Sequence, residues 1–403
     1  MKTSRVEQHL IRKSHPMWKT IDEMCFHAKN LYNYANYTLR QDYIENGNYI
    51  SYYDMNRELK THELYKNCMS QPANCVLRLL NKNWKSFFEG LKVWNENDNK
   101  FLGRPRLPKY LNKDGRFPWM IPNNACYFEN GEVKFRIKKL QEFKWITKAK
   151  GRLIQVRFIP KGTCYVMEVV TEIKIPDFQK RKPTRIASID LGINNFVTLT
   201  NNIGEDPIII NGKGIKSINQ FYNKRRAKIL KQIIFLNNQH WSNKLSDIAL
   251  KRFNRIKNFI HHASRYIVDY CVNNDIDTLI VGLSKQWKHY SNLGDENNQK
   301  IQSIPFDMLI KQLEYKCLEK GIYFLTTNES YTSGTSFLDG ELPERDNYDI
   351  SRRKKRGIFE SENGMINADV NASYQIMRKV FPNAIADGIE ACLTPSIINV
   401  VNI

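Results

Sequence analysis

Arg185-Ile-Ala-Ser-Ile-Asp-Leu-Gly-Ile-Asn-Asn-Phe-Val-Thr-Leu-Thr200 decides the fold of the chain. Its first part, Arg185 to Asp190, reads as a strand carrying a carboxylate at its end, before Leu-Gly. Phe196 to Thr200 and Pro207 to Ile210 follow as two more strands after tight turns. Long helical stretches then run over about 217–236 and 247–272, the second marked by Ile248, Phe253, Ile256, Ile260, Tyr266 and Ile267. Strand 278–282, helix 305–320, strand 322–327 and a last helix over 368–380 complete the order. Two of these later elements also bring acids: Glu329 in Asn328-Glu-Ser-Tyr-Thr332 and Asp369 in Ile366-Asn-Ala-Asp-Val370.

Upstream the periodicity differs. Met17, Ile21, Met24, Ala28, Leu31, Ala35 and Leu39 recur at steps of three and four, with Pro16 before them and Gly47 beyond, so a helix is expected there. Val76, Leu80, Trp84, Phe87, Leu91 and Trp94 repeat the pattern after Pro72, making 16–97 a helical unit whose aromatics read as core residues ahead of the alternative, base-stacking platforms. From about 101 the period changes to two, with hairpin signals at Asn130-Gly131 and Lys161-Gly162. Pro105 and Pro108 keep Phe101-Leu-Gly-Arg-Pro-Arg-Leu-Pro-Lys-Tyr110 extended, and Arg104, Arg106, Lys109 and Tyr110 suit a phosphate backbone, although a solvated linker has the same composition. Pro176-Asp-Phe-Gln-Lys-Arg-Lys-Pro183 is the best domain boundary.

At 403 residues the chain is long enough for two or three cores. Lys and Arg number 62 against 41 Asp and Glu, a formal net charge of +21, which favours a polyanionic partner. No apolar run is long enough to span a membrane and no signal peptide opens the chain, so a cytoplasmic protein, associated with the nucleoid when bound to DNA, is expected. The eight cysteines are scattered without a C-x-x-C pair and read as reduced, mostly buried thiols. His261 and His262 read as structural.

The order of strands and helices is that of an RNase H-like fold, in which the first strand, the late strand and the final helix converge at one end of the sheet. Taken singly, Asp190 could shape a turn, Glu329 could lie on the surface and Asp369 could favour a helix dipole. Taken together on those three elements, they form a carboxylate trio. Oxygen-only ligands of this kind favour Mg²⁺ or Mn²⁺. Two such ions about 3.5–4 Å apart can activate water and neutralise a leaving oxygen, with Asp190 bridging and Glu329 and Asp369 each completing one ion.

Five ordered motifs, Ser188-Ile-Asp-Leu-Gly-Ile-Asn194, Asn211-Gly-Lys-Gly-Ile-Lys216, His262-Ala-Ser-Arg265, Glu329-Ser-Tyr-Thr-Ser333 and Asn367-Ala-Asp-Val-Asn-Ala372, resemble TnpB, the RNA-guided DNA nuclease encoded by insertion sequences and related to type V CRISPR effectors. The resemblance implies a multidomain α+β chain. Its parts would be a β-barrel wedge domain starting with a first strand in 1–15 and continuing over 98–180, a helical recognition domain over 16–97, and a RuvC-like nuclease domain over 184–380, followed by a tail over 381–403. It further implies a catalytic triad of Asp190, Glu329 and Asp369, a guide RNA from the element's end, a double-stranded DNA target and a short flanking motif. Many relatives carry a four-cysteine zinc ribbon between the last two acids. Here the 40-residue interval holds no cysteine, so zinc is not expected and the insertion at about 334–365 belongs to a zinc-ribbon-lacking subgroup. Arg352, Arg353, Lys354, Lys355 and Arg356 could grip the strand being cut, or form a solvated basic loop. A miniature type V effector with the same site, and a guided repressor that binds without cutting, are the alternative readings.

Overall fold

The computed structural model describes residues 2–175, 182–283, 303–354, 357–383 and 394–400. The chain divides into two units, Met1–Lys174 and Ile175–Ile403.

In the first unit, β1 (Lys2–Ile11) is followed by α1 (Trp18–Asn46), α2 (Tyr52–Leu59), α3 (Glu63–Cys68) and α4 (Ser70–Glu96). α1 buries Ile21, Met24, Ala28, Leu31, Ala35 and Leu39 along one face, and Gly47 ends it with φ 69°, a left-handed conformation that glycine adopts without steric cost. α4 buries Val76, Leu80 and Trp84, whose indole N–H donates to Asn36 Oδ1 at 3.0 Å; the later stripe members Phe87, Leu91 and Trp94 are half-buried. Then come β2 (Trp119–Pro122), β3 (Cys126–Glu129), β4 (Glu132–Phe135), β5 (Trp145–Ile146), β6 (Arg152–Lys161) and β7 (Cys164–Lys174). These strands form two sheets: β1-β7-β6-β2 and β3-β4-β5. The first strand runs antiparallel to β7 over its whole length, from Lys2 opposite Lys174 to Ile11 opposite Tyr165. Asn130 and Gly131, both at positive φ, turn β3 into β4, as a two-residue hairpin loop requires.

The second unit is built on one six-stranded sheet. Its strands are β8 (Ile186–Leu191), β9 (Asn195–Asn201), β10 (Ile208–Asn211), β11 (Thr278–Leu283), β12 (Tyr323–Asn328) and β15 (Ser396–Ile398), in the order β12-β11-β8-β9-β10-β15. Between β10 and β11 lie α5 (Lys213–Asn237) and α6 (Asn243–Asn273); α7 (Phe306–Lys320) precedes β12. A small hairpin, β13 (Ile358–Ser361) with β14 (Gly364–Asn367), leads into α8 (Ala368–Val380). β8, β9 and β10 meander antiparallel, whereas β11 and β12 are added parallel to β8. The segment expected to be a plain tail returns to the sheet, because β15 pairs in parallel with β10. Much of the boundary Pro176 to Pro183 falls outside the described residues.

Side chains alternate across a strand, so each face of this sheet meets a different layer. Ala187, Ile189 and Leu191 pack with Ile256, Ile260, Leu309 and Leu313 of α6 and α7. Ile186 and Ile280 pack on the opposite side with Ile376 and Met377 of α8 and with Phe337 and Phe359. The second of these layers matters for function, since Ser188 and Asp190 share the face of Ile186. Among the described residues no helix is long and apolar enough to cross a membrane.

Candidate active site

Asp190 is the fifth of the six residues of β8, half-buried at the strand's C-terminal end on the α8 side. Glu329 directly follows β12, and its amide donates to the carbonyl of Leu283 at the end of β11. Because β12, β11 and β8 are neighbours running in parallel, both acids emerge at the same edge. Between them lies Gly282. A Cβ there would fall 2.4 Å from Ile376 Cδ1 and 3.5 Å from Glu329 Cβ. The missing side chain is what lets α8 and Glu329 close over the middle strand.

The chain just after Glu329 is fixed locally. Thr332 donates to the Glu329 carbonyl through both its amide, at 3.2 Å, and its hydroxyl, at 2.8 Å. Asp369 reaches the edge from the other direction, in the first turn of α8. Asn367 caps that helix, its Oδ1 accepting from the amides of Asp369 and Val370 at 3.0 and 3.2 Å. Four residues on, Ser373 binds to β8 and β9: Ser188 Oγ donates to the Ser373 carbonyl at 2.7 Å, and Ser373 Oγ lies 3.0 Å from the Ser188 carbonyl and 2.9 Å from Thr200 Oγ1. All three hydroxyls are buried.

The electrostatics reflect this convergence. The Asp190 carboxyl is pushed well above the usual carboxylate range, first by burial and then by the negative charges of Asp369 and Glu329; Arg353 and the Leu191 amide act in the opposite sense. Asp369 is held at both oxygens, Oδ1 by Arg353 Nη2 at 2.8 Å and Oδ2 by Asn195 Nδ2 at 2.6 Å. Among the described residues no three His, Cys, Asp or Glu side chains approach closely enough to enclose one cation. The donor set is all oxygen and suits a hard divalent ion, while Arg353 supplies the positive charge beside Asp369.

The basic residues expected to touch nucleic acid divide into two groups. Arg104, Arg106, Lys109 and Tyr110 are exposed. Their segment is fastened to α1, with Asn36 and Arg40 donating to the Pro108 carbonyl at 3.0 Å and the Arg40 guanidinium 5.1 Å from the Tyr110 ring. The second group does not stand free. Arg352 pairs with Glu341 at 2.7 Å, Arg353 with Asp369, and Lys354 with Glu360 at 3.2 Å, so these three face carboxylates of their own unit. Lys355 and Arg356 lie outside the described residues.

Sequence reasoning missed Asn195 and the Ser188–Thr200–Ser373 cluster. Asn195 lies one residue past the Ser188 to Asn194 motif. The hydroxyls carry no sequence signal beyond being polar at positions where the strand and helix patterns call for core, which is itself an available clue.

The chain has a mixed α/β fold that is similar to that of a miniature type V effector. A solved Cas12f1-sgRNA-target DNA complex matches 89% of this chain and 82% of its own at a TM-score of 0.59 and 15% identity, a likeness of fold. The mini-RNA-guided endonuclease CRISPR-Cas_phi3 aligns over 97% of this chain and 93% of its own at a TM-score of 0.49 and 12% identity. The family model of a probable transposase, OrfB_IS605, matches residues 165–288, which include Asp190, and that of the Cas12f1-like TNB domain matches 306–376, which include Glu329 and Asp369. No curated protein matches in sequence. The resemblance to the TnpB family is borne out by these two matches.

Proposed function

We propose that the protein is an RNA-guided, divalent-metal-dependent DNA endonuclease of the TnpB type. What supports this reading is that Asp190, Glu329 and Asp369 emerge at the same end of the sheet, near enough for the negative charges of Asp369 and Glu329 to add to burial in raising the Asp190 carboxyl. Clustered carboxylates of that kind are stabilised by a cation. Mg²⁺ or Mn²⁺ would be held by Asp190 with Glu329 and by Asp190 with Asp369, not by all three acids on one ion, and would supply water activation and charge neutralisation at the scissile phosphate. Asp369 Oδ1 is the oxygen for which Arg353 and a cation would compete. Asn195 keeps the Asp369 carboxylate oriented through the other oxygen. Arg353, once displaced from Asp369, is placed to meet a phosphate oxygen.

Guide RNA and target DNA are the partners this reading requires, in keeping with the net charge and with the complex whose fold the chain shares. Base pairing would read the target while the protein holds the heteroduplex by shape and charge. The first unit would supply recognition and wedge functions, with Arg104, Arg106, Lys109 and Tyr110 on the phosphate backbone. The test is to express the gene with its native downstream flank, sequence the copurifying RNA, and assay matched duplex DNA with Mg²⁺ or EDTA. Cleavage with Mg²⁺ that stops in EDTA and in Asp190→Ala, with DNA binding retained, is expected. A preparation free of RNA, or an Asp190→Ala protein that still cuts, overturns the proposal.

The match to the Cas12f1-like TNB domain favours a second reading, a miniature CRISPR effector using the same edge. A repeat array beside the gene decides between them.

A further inference from the structure

The 40 residues from 207 to 246 contain eight Lys or Arg and no acid. They include all of α5, which is exposed on every side from Asn223 to Lys228. Where α5 runs beside α6, the two helices enclose a groove bordered by Phe221, Tyr222 and Arg225 on one side and Lys251, Arg252 and Arg255 on the other. Phe221 is 54% exposed, with the Arg225 guanidinium 5.6 Å from its ring. Arg252 is fixed in place: it donates to Asn219 Oδ1 at 2.6 Å and to the Ser303 carbonyl at 3.0 Å, and lies 5.1 Å from the Tyr222 ring. Four cations and two aromatic rings therefore share one groove. Beyond it, the end of α5 and the turn into α6 present Phe235 and Trp241, 87% and 61% exposed.

We infer that the α5–α6 groove is a binding site for a single-stranded segment of RNA, with phosphates on Arg225, Lys251 and Arg255 and an unstacked base on Phe221. The inference rests on the proposed RNA-guided function and adds the place where unpaired guide RNA is held. Arginine planes and aromatic faces in alternation are the groups that grip unpaired RNA, because every base has a π face and every nucleotide a charge. A second copy of this chain is a poor occupant, since the four cations of the groove and the acid-free α5 would meet their own like charge, with Asp247 at the start of α6 the one acid nearby in sequence. In the proposed function guide RNA is the resident partner and target DNA the transient one. Aromatics as exposed as Phe235 and Trp241 suit a partner that stays bound, which in this reading is the RNA.

The test uses the full-length protein stripped of nucleic acid, probed with an unstructured oligouridine and the matching oligodeoxythymidine by fluorescence anisotropy over a range of salt, with light scattering to report oligomeric state. Phe221→Ala is expected to weaken oligouridine binding about tenfold, the loss of one stacked base. Arg225→Glu with Arg255→Glu is expected to weaken it further and to reduce the salt slope by about 1.4, two phosphate contacts at ~0.7 each. A thiouridine probe should crosslink to α5 or α6. Should the double variant fail to fold, Phe221→Ala still decides, because its side chain is mostly exposed. Oligouridine binding unchanged in the variants, loss directed at oligodeoxythymidine alone, or a dimer that dissociates in the variants each overturn the assignment. If the wild-type protein binds no RNA at all, the proposed function itself fails; if it binds RNA and the variants bind equally, only the groove is wrong.

Discussion

Ser188 and Ser373 meet one layer beneath Asp190 and Asp369, two residues back along the strand and four residues on along the helix, with Ser188 Oγ donating to the Ser373 carbonyl at 2.7 Å. The buried pair, joined by Thr200, fixes the height at which α8 crosses β8 and therefore where Asp369 stands relative to Asp190. Ser373→Ala removes one hydroxyl from a closed buried network: the Ser188 and Thr198 carbonyls lose its donor, while Thr200 keeps Ser188 at 2.8 Å. A loss of about 1–3 kcal/mol in urea denaturation is expected, together with a fall in DNA cleavage greater than any fall in RNA binding. An unchanged urea midpoint would show that the hydroxyl contributes nothing.

Asn195 acts on Asp369 from the side opposite Arg353. Its replacement by Ala frees one carboxylate oxygen to rotate. Groups that orient a metal-holding side chain are typically worth 10- to 100-fold in metal affinity or rate, so Asn195→Ala should raise the Mg²⁺ concentration for half-maximal cleavage by about that range. Nucleic-acid affinity should stay as it was. A Mg²⁺ titration of cleavage, read beside an RNA-binding curve, separates the two; superimposable titrations for wild type and variant argue against the orienting role.

Glu341 holds the cysteine-free insertion together. One of its oxygens accepts from Arg352 and the other from the Ser336 amide, both at 2.7 Å. Asn371 on α8 joins the same segment, accepting from the Phe337 amide at 2.9 Å and donating to the Thr335 carbonyl at 2.8 Å. The Asn371 hydrogen bonds and the Arg353–Asp369 pair hold this segment to α8, so a zinc chelator should leave its protease resistance unaltered. Glu341→Ala should expose residues 334–365 to limited proteolysis, because Arg352 and the Ser336 amide would lose their acceptor. Rapid digestion of the wild type after chelation would contradict this account.

Acid stability should depend on Asp22 in the first unit. Burial raises its pKa, but hydrogen bonds from Arg116 and Tyr165 and the charge of Arg116 outweigh that and hold it below the usual carboxylate range. A carboxylate with a depressed folded-state pKa contributes stability that is complete above its unfolded value and is lost as pH falls through the folded value. Melting temperature should thus decline below about pH 4, and Asp22→Asn should be less stable at neutral pH while showing a flatter acid limb. Parallel acid limbs for the two proteins would remove Asp22 from the explanation.

The strands and the long helices were legible because each rests on a local rule: short apolar runs bounded by turn residues for β8 and β11, period two with hairpin signals after residue 101, and a three-and-four stripe for α1. The return of β15 to β10 was not legible, since a three-residue strand carries almost no periodicity. Nor was the pairing of Arg352, Arg353 and Lys354, which read as a free basic run while their carboxylate partners Glu341, Asp369 and Glu360 stand 6 to 16 residues away.

Sequence alone determined which elements bear the three carboxylates, because residue type and the periodicity around each place them at strand ends and a helix start. Only the tertiary structure decided how they are held. Asn195, Arg353, Ser188 and Ser373 act through hydrogen-bond distances across elements as far as 185 positions apart. Such bonds form only after the sheet and α8 have packed, so the order of residues along the chain does not encode them in any local pattern.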